Sequence, residues 1–241
     1  MADEKVLFGE KIMDNIILNV ENIIKSYGRH KVLKGAGFTC TAGQCIGIAG
    51  VNGSGKSTLL SVIAGTQKAD EGTVTAYGVD LQKNKSYISK CIGYVPQENP
   101  LIEDLSVMDN LKLWYCDSPW NLKAELEGGF LKNLGINEYH KKTVKKLSGG
   151  MKKRVSIAIA VHNKPGILLL DEPGASLDLL AKKTIRDYLK WYISTGGTVI
   201  IVTHDNEELD MCDTLYVMSD GKLRETDRNL RGEALLKGNL K

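Results

Sequence analysis

The stretch "CIGIAGVNGSGKSTLL", residues 45–60, constrains the fold of this chain more than any other. A short apolar run leads into a glycine-rich loop that fits G-x-x-x-x-G-K-[ST], and a helical pattern follows at once. The glycines let the loop turn tightly, so that successive backbone N–H groups point inward. Together with the helix N-terminus they form an anion nest. The residues concerned are Gly50, Asn52, Gly53, Ser54, Gly55, Lys56, Ser57 and Thr58. Lys56 is long enough to reach the outer phosphates of a nucleotide, and the Ser57 hydroxyl is a suitable oxygen for Mg²⁺. A loop of this kind works between a strand and a helix, which points to an α/β protein.

Two later segments are apolar without alternation: "ILLLDE" (167–172) and "TVIIVTHD" (198–205). Short unbroken apolar runs that end in polar residues suit central parallel strands buried on both faces. Between them, "LDLLAKKTIRDYLKWYIS" (177–194) has helical spacing and stops at Gly196-Gly197. Strand, helix, strand in this order is a right-handed crossover unit. Earlier, "NIILNV" (15–20), "GFTCTA" (37–42), "QCIGIAG" (44–50) and "GTVTAYG" (72–78) lie between turn signals such as Tyr27-Gly28 and Ala42-Gly43. They predict a small antiparallel sheet feeding a parallel one. Residues 101–146 read as mostly helical, with Ser106 capping "VMDNLKLWYC" and a second periodic stretch from Asn121.

Bulk properties exclude several classes. The net charge is +3, too small to argue for a nucleic-acid partner. Basic runs at 140–146 and 152–154 are read as solvated faces. The five cysteines include no C-x-x-C pair, so buried thiols in a reducing compartment are expected rather than a disulfide framework or a zinc site. No apolar run approaches the roughly 18 residues that span a bilayer. The start, "MADEKVLFGEKIMDN", carries charges throughout and no signal-peptide pattern. A cytoplasmic protein is expected, one that a partner would hold at any membrane where it works.

Beside the phosphate loop, "ILLLDE" supplies carboxylates. Asp171 at the strand end suits Mg²⁺, and Glu172 suits a general base for an attacking water. Parallel strands bring their C-terminal ends to one edge, where ligands bind. His204, ending the next strand, is therefore expected to meet the phosphate loop and donate a hydrogen bond to a γ-phosphate. His30, His140 and His162 are given structural roles. Gln97, after the strand-like "CIGYVP", is placed to reach Mg²⁺ or the attacking water.

These elements, in this order, resemble the ATP-binding subunit of ABC transporters, over about residues 16–226. "LSGGM" (147–151) looks like the family signature, usually LSGGQ, and "KKRVSIAIA" continues as its helix. "ASLD" (175–178) looks like the D-loop with Asp178, "YVPQ" (94–97) the Q-loop, and "VTHD" (202–205) the switch histidine. Tyr27 in "KSYG" matches the aromatic that stacks on adenine. The resemblance implies a P-loop NTPase (RecA-like) core with an N-terminal antiparallel β subdomain and an inserted α-helical subdomain. The core would take 16–97 and 163–241, and the helical part 98–162, in a single domain spanning 1–241.

The resemblance also implies ATP and Mg²⁺ as cofactors, with Ser57, Gln97 and Asp171 toward the metal. A second ATP-binding subunit, in a homodimer or heterodimer, is expected to pair head to tail. Ser148, Gly149 and Gly150 of one chain would then close over the nucleotide of the other. A transmembrane permease subunit would hold the pair at the cytoplasmic face of the cell membrane. Its expected contact is the aromatic-rich stretch 99–120, above all Leu101 and Ile102, with Trp114 and Leu111 equally suited to the helical lobe's own core. "DLSVMDNL" resembles exporter subunits, and a short charged tail after Thr226 is expected in place of the regulatory domain of many sugar importers. A soluble ATPase acting on a protein scaffold, as in iron–sulfur cluster assembly, is the alternative. The chain departs from the family at Met151, where a thioether stands in place of an amide and cannot make its hydrogen bonds, and in "PGASLD", which keeps Asp178.

Overall fold

A computed structural model describes residues 16–115 and 121–237. The charged start, Cys116 and Trp120 lie outside them. The elements in chain order are β1 (Ile16–Tyr27), β2 (His30–Thr41), β3 (Cys45–Ala49), α1 (Lys56–Ile63), β4 (Glu71–Ala76), β5 (Val79–Asp80), α2 (Lys85–Cys91) and β6 (Ile92–Val95). Then come α3 (Val107–Tyr115), α4 (Leu122–Glu127), α5 (Phe130–Asn133) and α6 (Gly149–Ala160). The chain returns through β7 (Ile167–Asp171), α7 (Leu179–Ser194), β8 (Thr198–Val202), α8 (Asn206–Leu209), β9 (Thr214–Ser219), β10 (Lys222–Thr226) and α9 (Gly232–Lys237).

The strands form two sheets. One is antiparallel, in the order β2-β1-β4-β5; the other has the order β10-β9-β3-β8-β7-β6, parallel except for the β9–β10 hairpin. Every residue of β3, β7 and β8 is buried, which explains their unbroken apolar runs. On one side, Ile46, Ile48, Ile167 and Ile200 pack with Leu59 and Ile63 of α1 and with Leu18 and Val20 of the antiparallel sheet. On the other, Leu168, Leu170 and Ile201 pack with Leu111, Leu131, Val155 and Ile157 of the helical segments and with Ile185 of α7. Each such side chain contributes roughly 1.5–3 kcal/mol by leaving water. The parallel sheet is thus the shared wall of two cores.

Register sets the site. Ile48 of β3 pairs with Val202 of β8, and Val202 with Asp171 of β7. Three strands therefore end at one level and release the phosphate loop, Glu172 and His204 along one edge.

Several local expectations change. β1 continues beyond Val20 because register shifts around Asn22, which has φ 49°, let the strand bend and still pair on to Tyr27. The β9–β10 hairpin turns on Asp220 and Gly221, at φ 47° and 71°, the geometry that an Asp-Gly pair favours. The middle region is only partly helical. Ser106 Oγ accepts from the Asp109 N–H and Asn121 Oδ1 from those of Lys123 and Ala124, so both caps form. The second periodic stretch breaks at Gly128-Gly129 into the short α4 and α5. Among the described residues no helix is long and apolar enough to cross a membrane. Cys40, Cys45, Cys91 and Cys212 are buried free thiols, as expected.

Candidate nucleotide site

The phosphate loop leaves β3 at Gly50, whose φ is 150°. A Cβ there would stand 2.5 Å from the Met218 carbonyl oxygen of β9, so only glycine lets the loop pass so close to the sheet. Lys56 is buried and donates to the carbonyl oxygens of Gly50 at 2.7 Å and Val51 at 3.0 Å. Burial pulls its pKa down, while the charges of Glu172 and Asp171 oppose this. A cleft of about 330 Å³ opens above the loop, lined by Asn52, Gly53, Gly55, Lys56, Ser57, Thr58, Gln97 and Glu172. Three separate parts of the chain meet there.

Asp171 is 2% exposed, and burial pushes its pKa up while a hydrogen bond with Ser57 pulls it down. Its Oδ1 is buried without a hydrogen-bond partner. A desolvated carboxylate oxygen beside a serine hydroxyl is an oxygen pair of the kind hard divalent cations take, and Gln97 lines the same cleft as that serine. Glu172 adopts φ 47°, a backbone conformation costing a non-glycine residue roughly 1–3 kcal/mol. Its N–H still bonds the Val202 carbonyl at 2.9 Å. The turn directs its carboxylate at two groups: Gln97 Nε2 donates to Oε2 at 3.3 Å, and His204 Nε2 lies 3.8 Å from Oε1. Burial first, then the Lys56 charge, lowers the His204 pKa; Glu172 opposes them.

The other predicted residues lie elsewhere. Tyr27, half-exposed at the β1–β2 turn, donates its phenol hydrogen to Gln67 Oε1. Ser148 caps α6, its Oγ accepting from the Met151 N–H at 3.3 Å. Asp178 caps α7 by accepting from the Ala181 N–H at 2.8 Å. These two helix starts are packed together, and a Cβ on Gly150 would stand 2.5 Å from Ala181 Cβ. The signature and the D-loop are thus held next to each other by a buried contact. No residue of 148–151 lines the cleft. Met151 is half-buried against the apolar core of the helical segments.

The run 152–154 is not the solvated basic face its charge suggests. Lys153 is 4% exposed and donates to the Pro96 and Gln97 carbonyl oxygens at 2.9 Å each. Burial pushes its pKa down to about 8, against the pull of Asp171. Arg154 lies over the Tyr139 ring and donates to the Leu134 carbonyl. Glu208, also unforeseen, is buried under the His204 loop and accepts from the Thr203 hydroxyl. Helical position in "MKKRVSIAIA" was the one available clue to Lys153, since it shares a face with Gly150 and Ile157.

The aromatic-rich stretch divides. Leu111 and Tyr115 are core, and Leu101 is half-buried against it, whereas Ile102 and Trp114 are 51% and 46% exposed. Trp114 lines a groove of about 310 Å³ with Pro100, Ile88, Ile92, Ile159 and His162, between α2 and the helical segments.

A model of the ABC transporter family matches residues 33–175. The linearmycin resistance ATP-binding protein of Bacillus subtilis is 34% identical over 86% of this chain and 68% of its own length. The Nod factor export ATP-binding protein I of Ralstonia nicotianae is 33% identical over 89% and 68% respectively. Among solved structures, the dimeric ATP-binding cassette MJ0796 in a post-hydrolysis state with ADP and Pi superimposes with a TM-score of 0.78. It is 28% identical, over 89% of this chain and all of that one. An ATP-bound bacterial exporter of the Atm1 family gives 0.78 at 26% identity, covering 88% and 39%. With these matches and the phosphate cleft, the chain belongs to the ABC transporter family, as an ATP-binding subunit and an ATPase.

Proposed function

We propose that two such cassettes close head to tail on ATP and reopen on hydrolysis, driving a membrane permease. The observation that carries this is the separation of two half-sites. The phosphate loop, Gln97 and Glu172 line one open cleft, with His204 3.8 Å from Glu172 at its edge, while Ser148 and Gly149 are exposed away from it, at a helix start that packs through buried Gly150 against the helix capped by Asp178. Lys56 and His204 would hold the γ-phosphate from one chain, and Ser148 with the Gly149 amide from the other. Tyr27 would stack on adenine. Glu172 takes the proton of the attacking water, worth roughly 10²–10⁴-fold.

Ser57, Asp171 and Gln97 would hold Mg²⁺, which neutralises charge developing on the phosphates. The unpartnered Asp171 oxygen supports this set. We assign 16–97 and 163–241 to the catalytic core and 98–162 to the helical subdomain. The groove at Trp114, together with exposed Ile102, is the permease contact we favour, which puts the subunit at the cytoplasmic membrane face. Export is the favoured direction, supported by the name of the Nod factor export relative.

The experiment is size-exclusion chromatography with ATP. Glu172→Gln should lose most hydrolysis, keep ATP binding and elute as a dimer; adding Ser148→Arg should return it to a monomer that still binds ATP. An ATP dimer unchanged by Ser148→Arg would remove the composite site.

A further inference from the structure

The signature helix α6 and the Gln97 loop are joined at one buried point. Lys153 reaches from the second turn of α6, and its ammonium donates to two consecutive carbonyl oxygens, Pro96 and Gln97, at 2.9 Å each. Ser156, on the same side of the helix, donates to Asn99 Oδ1 at 2.9 Å. At the exposed edge, Lys152 pairs with Glu103 at 2.6 Å and Lys145 with Asp104 at 2.9 Å. The exposed pairs are weak in water. The Lys153 contacts are different: both are charge-assisted, part-buried, and made by a lysine that is itself only 4% exposed.

What lies beyond the lysine gives the contact its meaning. The residue whose carbonyl it grips is the one whose side-chain Nε2 meets Glu172 Oε2 at 3.3 Å. The helix that carries the lysine is the one that Ser148 caps. A two-carbonyl clamp removes the freedom of the Pro96–Gln97 peptide groups and so decides where the Gln97 amide can reach.

We propose that Lys153 is a positioning residue for hydrolysis: it ties the Gln97 backbone to the signature helix, so that the place of Ser148 governs the contact of Gln97 with Glu172. The inference rests on the reading of Gln97 and Glu172 given above. It makes cis catalysis answer to the trans half-site through the one link that grips the Gln97 backbone itself.

The test uses the full chain, with steady-state hydrolysis and, separately, titration with a fluorescent ATP analogue. Lys153→Met should lower kcat, expressed per ATP-binding site counted in the titration, at least about tenfold while KM and nucleotide affinity stay within about twofold; counting sites removes the loss of folded protein, which alone lowers apparent kcat at unchanged KM. Lys153→Arg, which keeps a charged donor, should recover most of the loss. Lys153→Gln serves as second variant where Lys153→Met folds poorly, with turnover between the Met and Arg forms. The double variant Lys153→Met/Gln97→Ala should be no slower than Gln97→Ala alone, because both act on one contact. Wild-type kcat in Lys153→Met or Lys153→Gln, beside a slow Gln97→Ala, would overturn the positioning role and leave the catalytic reading standing. Multiplying losses in the double variant would overturn it too. Wild-type kcat in Gln97→Ala would strike instead at the reading of Gln97, and the proposal would fall with it.

Discussion

His204 Nε2 and Glu172 Oε1 stand 3.8 Å apart at the ends of neighbouring parallel strands. Burial and the nearby Lys56 charge keep the imidazole below its ordinary pKa, so it is neutral near pH 7 and can donate one N–H. The folded state thus binds fewer protons at His204 than the unfolded chain between the lowered pKa and the ordinary value of 6.5. Stability from this site rises with pH across that window and is lost as pH falls below 6.5. Denaturant midpoints measured at about pH 5.5 and about pH 7.5 should differ less in His204→Asn than in the parent. An equal difference would show that the histidine is not held neutral.

The buried, unpartnered oxygen of Asp171 is a cost to the nucleotide-free fold. Burial raises its pKa, so the folded state binds more protons than the unfolded one above the usual carboxylate pKa, and stability falls as pH rises through that range. Asp171→Asn should therefore stabilise the nucleotide-free protein by about 1–3 kcal/mol, raising Tm by several degrees. The same change should abolish Mg²⁺-dependent hydrolysis. Calorimetry without nucleotide reads the first effect and phosphate release the second; a lower Tm would mean that the carboxylate is structurally satisfied.

Met151 fills apolar space in the helical segments. An amide there gives up apolar contact but, half-buried, keeps access to water, so Met151→Gln should cost no more than about 1 kcal/mol by urea denaturation. Turnover should change less than about tenfold, since the Ser148 cap and the glycine amides are untouched. A larger gain would mean that the methionine slows the native site.

Ile102 is exposed and Trp114 is exposed at the groove, whereas Leu101 is partly core. Ile102→Ala and Trp114→Ala should leave the ATPase activity of the isolated subunit within about twofold and change Tm little. Coupled transport by the assembled transporter should fall several-fold, as expected for aromatic and apolar anchors of an interface. Leu101→Ala should lower Tm as well. Unchanged transport in the first two variants would move the permease contact elsewhere.

The phosphate loop, both carboxylates, Gln97 and His204 were legible because each is a short local pattern tied to a strand end. Unbroken apolar runs mark buried parallel strands, and such strands end together on one edge. Lys153 was hidden among charges that look solvated, and the exposure of Trp114 could not be separated from the burial of Leu111, since both sit on one short amphipathic helix.

The amino-acid sequence alone determined the buried parallel strands, the phosphate-loop chemistry and the acidic pair at a strand end. Local spacing and backbone propensity carry those. Only the tertiary structure decided that Gln97 and His204 both face Glu172, that the helices begun by the signature and the D-loop touch, and that the lysine joining the signature helix to the Gln97 loop is buried. Each depends on strand register and helix packing between segments far apart in the chain, which no local pattern encodes.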